Sequence, residues 1–169
     1  MTLAAKKMRE AVLQLLYCKD ISASNKDLLV PFIMKELSVS KKNVLEALDT
    51  VEKIWQKREE LDKTLAQHSQ SFVVDRIQKV EKAALRIGLF ELKCNPDLPA
   101  AVSISEAMRL TRKFSTPEAA NFVNALLDSI HQEKSSEELK CSIDALHESE
   151  DLAELASQEQ GEEKQDDYP

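Results

Sequence analysis

One stretch limits the fold more than any other. In residues 77–92, IQKVEKAALRIGLFEL, the apolar positions spread from one stripe to almost the whole circumference of a helix. Ile77, Val80, Ala84 and Ile87 recur at helical spacing, and Leu85, Leu89, Phe90 and Leu92 fill the other faces. From Ala83 onward only Arg86 and Glu91 are polar. A helix of this kind is stable only with other helices packed around it. Gly88 in its middle costs roughly 1 kcal/mol relative to Ala, which predicts that another helix backbone passes close to it.

The rest of the chain agrees with an all-α fold. Two Gly and five Pro in 169 residues leave little material for hairpins, and no alternating β-branched run competes with the helical period. A first helix is expected over about 3–19, with Met8, Ala11, Val12, Leu15 and Leu16 buried and Leu13 and Tyr17 turned away from that stripe. A short second helix should hold Pro31 in its first turn. A long third helix is expected over about 41–67, with Trp55 in the core. His68, Ser69, Gln70 and Ser71 form a polar break. The expected organisation is a helical bundle of two small subdomains, about 1–68 and 72–131, around the buried central helix. Past Pro96 and Pro99, Ser103 and Glu106 have the spacing of a capping box for a helix over about 104–114. Thr116 or Ser115 should cap the next helix, with Pro117 in its first turn.

The formal charge of −7 is a property of one end. Residues 1–134 hold 21 Lys+Arg against 18 Asp+Glu, whereas residues 135–169 hold 2 against 12. The 1–134 segment is therefore a weakly basic domain and 135–169 an acidic tail, expected to be disordered toward its end because it has almost nothing apolar to bury. Within the domain, Lys6, Lys7 and Arg9 make one basic patch and Arg109, Arg112 and Lys113 a second. Lys6, Lys7 and Arg9 are suited to phosphates, and Leu13 with Tyr17 to a protein surface; the alternative is a solvated charged face with Tyr17 covered by a neighbouring helix.

No constellation for catalysis can be assembled. Gly88 lies inside a helix and Gly161 in the tail, so there is no Gly-rich phosphate loop. His68, His131 and His147 stand singly, without metal-ligand spacing. Neither cofactor nor metal is expected, and the chain is not expected to be an enzyme. Cys18, Cys94 and Cys141 are far apart and read as free thiols of a reducing compartment. No apolar run approaches the roughly 18 residues of a membrane span, and no signal-peptide-like run opens the sequence. No membrane partner is expected, and the expected location is the cytoplasm.

Four segments in one order carry a resemblance. They are Arg9-Glu10-Ala11-Val12 with Gln14 and Leu16-Tyr17, then VEKAALRIGLFEL, SEAMRL and NFVNALLD, spread over about residues 4–131. This combination resembles the NusB family of bacterial transcription antitermination factors. The resemblance implies an all-helical fold of two small subdomains. It implies binding of boxA, a short single-stranded element of ribosomal RNA leader transcripts, together with NusE, a protein of the small ribosomal subunit, and assembly of the pair on RNA polymerase. Carried over residue by residue, it assigns Lys6, Lys7 and Arg9 to RNA, with Phe122 and Asn124 beside them, and Tyr17 and Glu81 to NusE. Lysine at 6 and 7, where the family often has arginine, keeps the charge but loses the planar fork that suits phosphate. The tail lies outside the resemblance; it either competes with RNA for the basic face or is simply solvated. A helical adaptor binding protein partners only is the other function class that the residues allow.

Overall fold

The computed structural model describes residues 4–21, 26–69 and 76–136. Helices α1 (Ala5–Ile21), α2 (Lys26–Leu37), α3 (Lys41–Gln56), α4 (Arg58–His68), α5 (Lys79–Cys94) and α6 (Ala100–Phe114) follow one another, and a further helix, α7, runs over 117–136. The described residues are all-α, as the sequence predicts. Gln70, Ser71 and the tail from residue 137 lie outside them. The unit described below ends at His131.

Helix α5 is buried along its middle, from Ala83 to Leu89 without interruption. It packs on α6 and α1 most extensively and also touches α3 and α4, while α1 packs on α3, and α2 covers α1 and α3. Ile77 precedes the helix instead of opening it, because Gln78 is extended and acts as the N-cap, yet Ile77 is buried all the same. The glycine of α5 has a close neighbour on each of two helices, and these are side chains, not the predicted backbone. A Cβ at Gly88 would stand 2.7 Å from a Leu127 methyl on α7 and 3.0 Å from the Ala107 Cβ on α6.

Arg86 is the polar exception that spans the core. Only 4% exposed, it donates from Nε and Nη2 to the two Asp62 oxygens at 2.8 and 2.7 Å and from Nη1 to Asp20 at 3.3 Å. One guanidinium thus joins α1, α4 and α5. Burial works against its charged form, but the Asp62 and Asp20 carboxylates outweigh that cost and raise its pKa. Trp55 packs against the core with the Lys19, Arg58 and Arg86 cations 5.3, 5.0 and 5.9 Å from its ring.

Four local expectations need correction. The third helix is two helices, since Lys57 takes φ −95° and ψ 4° and its N–H reaches both the Ile54 and Trp55 carbonyls. Arg58 Nη1 then donates to the same Trp55 carbonyl at 3.1 Å, satisfying it outside the helical ladder. Leu13 is 2% exposed, because α1 is covered by helices on several sides and buries a wider arc than one stripe. Pro31 lies well past the first turn of α2, offering no N–H to the Asp27 carbonyl. Ser103 and Glu106 form no capping box: α6 starts earlier, after Pro99, and Glu106 is engaged by arginines instead. Thr116 does cap α7, its Oγ1 accepting the Ala119 N–H at 3.1 Å.

Gly88→Ala is expected to leave stability within about 1 kcal/mol of the parent, since helix propensity gains about that much while Leu127 must shift. Gly88→Leu has no such room, and urea unfolding should show a loss of about 3 kcal/mol or more.

Candidate nucleic-acid interface

The first turns of α1 carry the basic run. Lys6 and Lys7 are exposed. Lys7 Nζ donates to the Leu37 carbonyl at 3.3 Å, an uncharged acceptor that leaves its charge unbalanced. Arg9 is different. Its side chain is 13% exposed, with Nε 2.7 Å from Glu91 Oε1 and Nη1 3.7 Å from Glu106 Oε2.

Beside it, Glu10 points into the seam between α1 and α6. Its two oxygens accept from Arg109 Nη1 at 2.7 Å and Lys113 Nζ at 2.8 Å. Arg109 also donates from Nε to Glu106 Oε2 at 3.0 Å and from Nη2 to the Lys6 carbonyl at 3.2 Å. Burial acts to raise the Glu10 carboxyl, but the bonds from Lys113 and Arg109 and their charges together hold it below its ordinary value. Arg109 is disfavoured by burial, yet Glu10 and Glu106 raise its pKa. Of the second predicted patch, then, Arg109 and Lys113 face carboxylates. Arg112 is exposed.

On α7, Phe122 is half-buried against the core and Asn124 is half-buried. Tyr17, near the other end of α1, is 36% exposed. It lines an apolar groove of about 340 Å³ with Leu13, Cys18, Phe32, Val80 and Phe114. Glu81 follows Val80 in the first turn of α5, and its Oε1 accepts from the Ser115 hydroxyl at 3.0 Å. Tyr17 thus stands at the groove, with Glu81 next in sequence to its lining residue Val80, while Lys6 and Lys7 stand at the far end of α1. Sequence reasoning missed the groove and the counter-charges Glu10, Glu91 and Glu106. The Glu106/Arg109 spacing was a legible signal for one of them; the others pair across most of the chain.

The NusB family model matches residues 6–132. The chain belongs to the NusB family. It is 41% identical over 137 residues to the transcription antitermination protein NusB of Chlamydia pneumoniae, covering 81% of this chain and 86% of that relative. The NusB protein of Symbiobacterium thermophilum is 30% identical over 136 residues, covering 76% and 89%. Among solved structures, NusB from T. maritima superposes with a TM-score of 0.66 at 25% identity, covering 79% of this chain and 94% of that one. A structure of the antitermination factors NusB and NusE in complex with double-stranded RNA matches with a TM-score of 0.62 at 26% identity, covering 76% and 96%. Among the described residues no helix is long and apolar enough to cross a membrane, and no group of three His, Cys, Asp or Glu side chains could hold a metal ion.

The carboxylates of this NusB fold set its acid limit. Glu10 and Asp20 both have pKa values lowered in the folded state, so their stabilisation is complete above their ordinary values of 4.5 and 3.8 and is lost as pH falls through the lowered ones. Urea unfolding from about pH 7 down to about pH 3 should show stability dropping below about pH 4.5. In Glu10→Gln that drop should be shallower, from a lower plateau at neutral pH.

Proposed function

We propose that this chain is a non-catalytic transcription antitermination factor that binds boxA RNA of ribosomal RNA leader transcripts jointly with the ribosomal protein NusE. The pair then joins the antitermination complex on RNA polymerase. The observation that carries this reading is the match over residues 6–132 to the NusB family, together with a solved relative seen with NusE and RNA.

The arrangement of α1 supports a division of its length. RNA meets the N-terminal end, where Lys6 and Lys7 are exposed, with Phe122 and Asn124 of α7 as further contacts. NusE takes the other end, where Tyr17 lines the apolar groove and Glu81 offers a carboxylate held by Ser115. An exposed tyrosine beside a groove rimmed by Phe32 and Phe114 is the anchor-and-pocket composition of a protein interface. Two lysines alone give RNA only modest affinity, which fits a protein that needs its partner to bind well.

The test is a mobility shift of labelled boxA RNA by the full chain, alone and with its matching NusE, across a salt series. Weak, salt-sensitive binding alone, tightening and becoming sequence-selective with NusE, is the expected result. Lys6→Ala/Lys7→Ala should weaken the joint complex about tenfold, and Tyr17→Ala should weaken NusE capture without changing RNA binding by the chain alone. Normal capture of NusE with no RNA bound in either state would make the chain a protein-only adaptor and overturn the proposal.

A further inference from the structure

We infer that the cations at this end of the molecule divide into two kinds: Arg9 is a positioning residue, while Lys6, Lys7 and Arg112 supply the charge that RNA phosphates meet. The inference rests on the RNA-binding reading and refines its site.

Charge balance carries the argument. Arg9, Arg109 and Lys113 face Glu10, Glu91 and Glu106 through bonds and pairs of 2.7 to 3.7 Å. Three cations against three carboxylates sum to zero, so this cluster adds no net field toward an approaching polyanion. Breaking one of these pairs to bind a phosphate would strand a buried carboxylate (Glu10 or Glu106) or the half-buried Glu91, which costs more than an exposed phosphate contact returns. Arg9 is the extreme case, with its side chain 13% exposed and its Nε held 2.7 Å from Glu91.

The exposed cations differ in kind. Lys6 and Arg112 face no carboxylate among the described residues, and Lys7 reaches only a carbonyl. Their positions are fixed by the neutral cluster. Arg109 Nη2 holds the Lys6 carbonyl itself at 3.2 Å, and Lys113 ties the end of α6 to Glu10. Arg112 sits in that same last turn of α6, beside Lys113. The cluster therefore sets where the exposed charges stand without joining them.

Counterion release separates the two roles, because each phosphate neutralised on a single strand contributes about 0.7 to the slope of log K against log salt. The slope is measured for boxA RNA binding by the complex with NusE. Lys6→Gln/Lys7→Gln should reduce its magnitude by about 1.4 and Arg112→Gln by about 0.7. Arg9→Gln/Glu91→Gln keeps the net charge and should weaken binding with the slope unchanged. Arg112 is exposed and outside every ion pair described, so its variant tests the assignment even where the Arg9 pair fails to fold. A slope lowered by about 0.7 in Arg9→Gln/Glu91→Gln, or unmoved in Arg112→Gln, would overturn the inference while RNA binding itself stands. No RNA binding by the parent complex would overturn both readings together.

Discussion

The Glu10 carboxylate is the constraint on which the basic end of this protein depends. It lies against the core, where an unpaired charge is untenable, and it is answered by two cations from a helix about a hundred residues further on. That pairing ties α6 to α1. It also consumes positive charge, so the surface is less basic than a count of Lys and Arg suggests. What remains exposed stands on a rigid base, and rigid presentation lowers the ordering cost of binding a flexible strand.

A second polar junction does the same for the other end of α1. Arg86 reaches Asp20 and Asp62 from the centre of α5, so the central helix holds α1 near its C-terminus as Glu10 holds it near its N-terminus. Between the two junctions α1 is buried through Ala11, Val12, Leu13, Leu15 and Leu16. The functional consequence is a first helix pinned at both ends, with a charged surface at one and an apolar groove at the other. In the proposed reading RNA and NusE each dock on an end of α1 that is already ordered, so neither has to order it on binding.

Much of the fold was legible because helical periodicity is local. The buried course of α5 and the Thr116 cap could be read from spacing alone. What failed was decided elsewhere in the chain. Leu13 is buried because several helices surround α1, which no period on α1 reveals. The break at Lys57 comes without the Pro or Gly that usually marks one, so nothing in the local sequence announces it. Arg9 could be placed on a basic face, but its partners Glu91 and Glu106 lie more than eighty residues away, so sequence showed a cation where the structure has an ion pair. The exposure of Lys6, Lys7 and Tyr17 followed from the helical wheel, and the groove beside Tyr17 did not, since Phe32, Val80 and Phe114 come from three other helices.

The most direct test of the account is amide chemical-shift mapping on the labelled chain in complex with NusE as boxA RNA is added. Perturbations confined to the first turns of α1, the last turn of α6 and the Phe122–Asn124 segment, with the Tyr17 groove unchanged by RNA because NusE already covers it, are the predicted result. Perturbations centred on α2 and α3, with the opening of α1 silent, would contradict it.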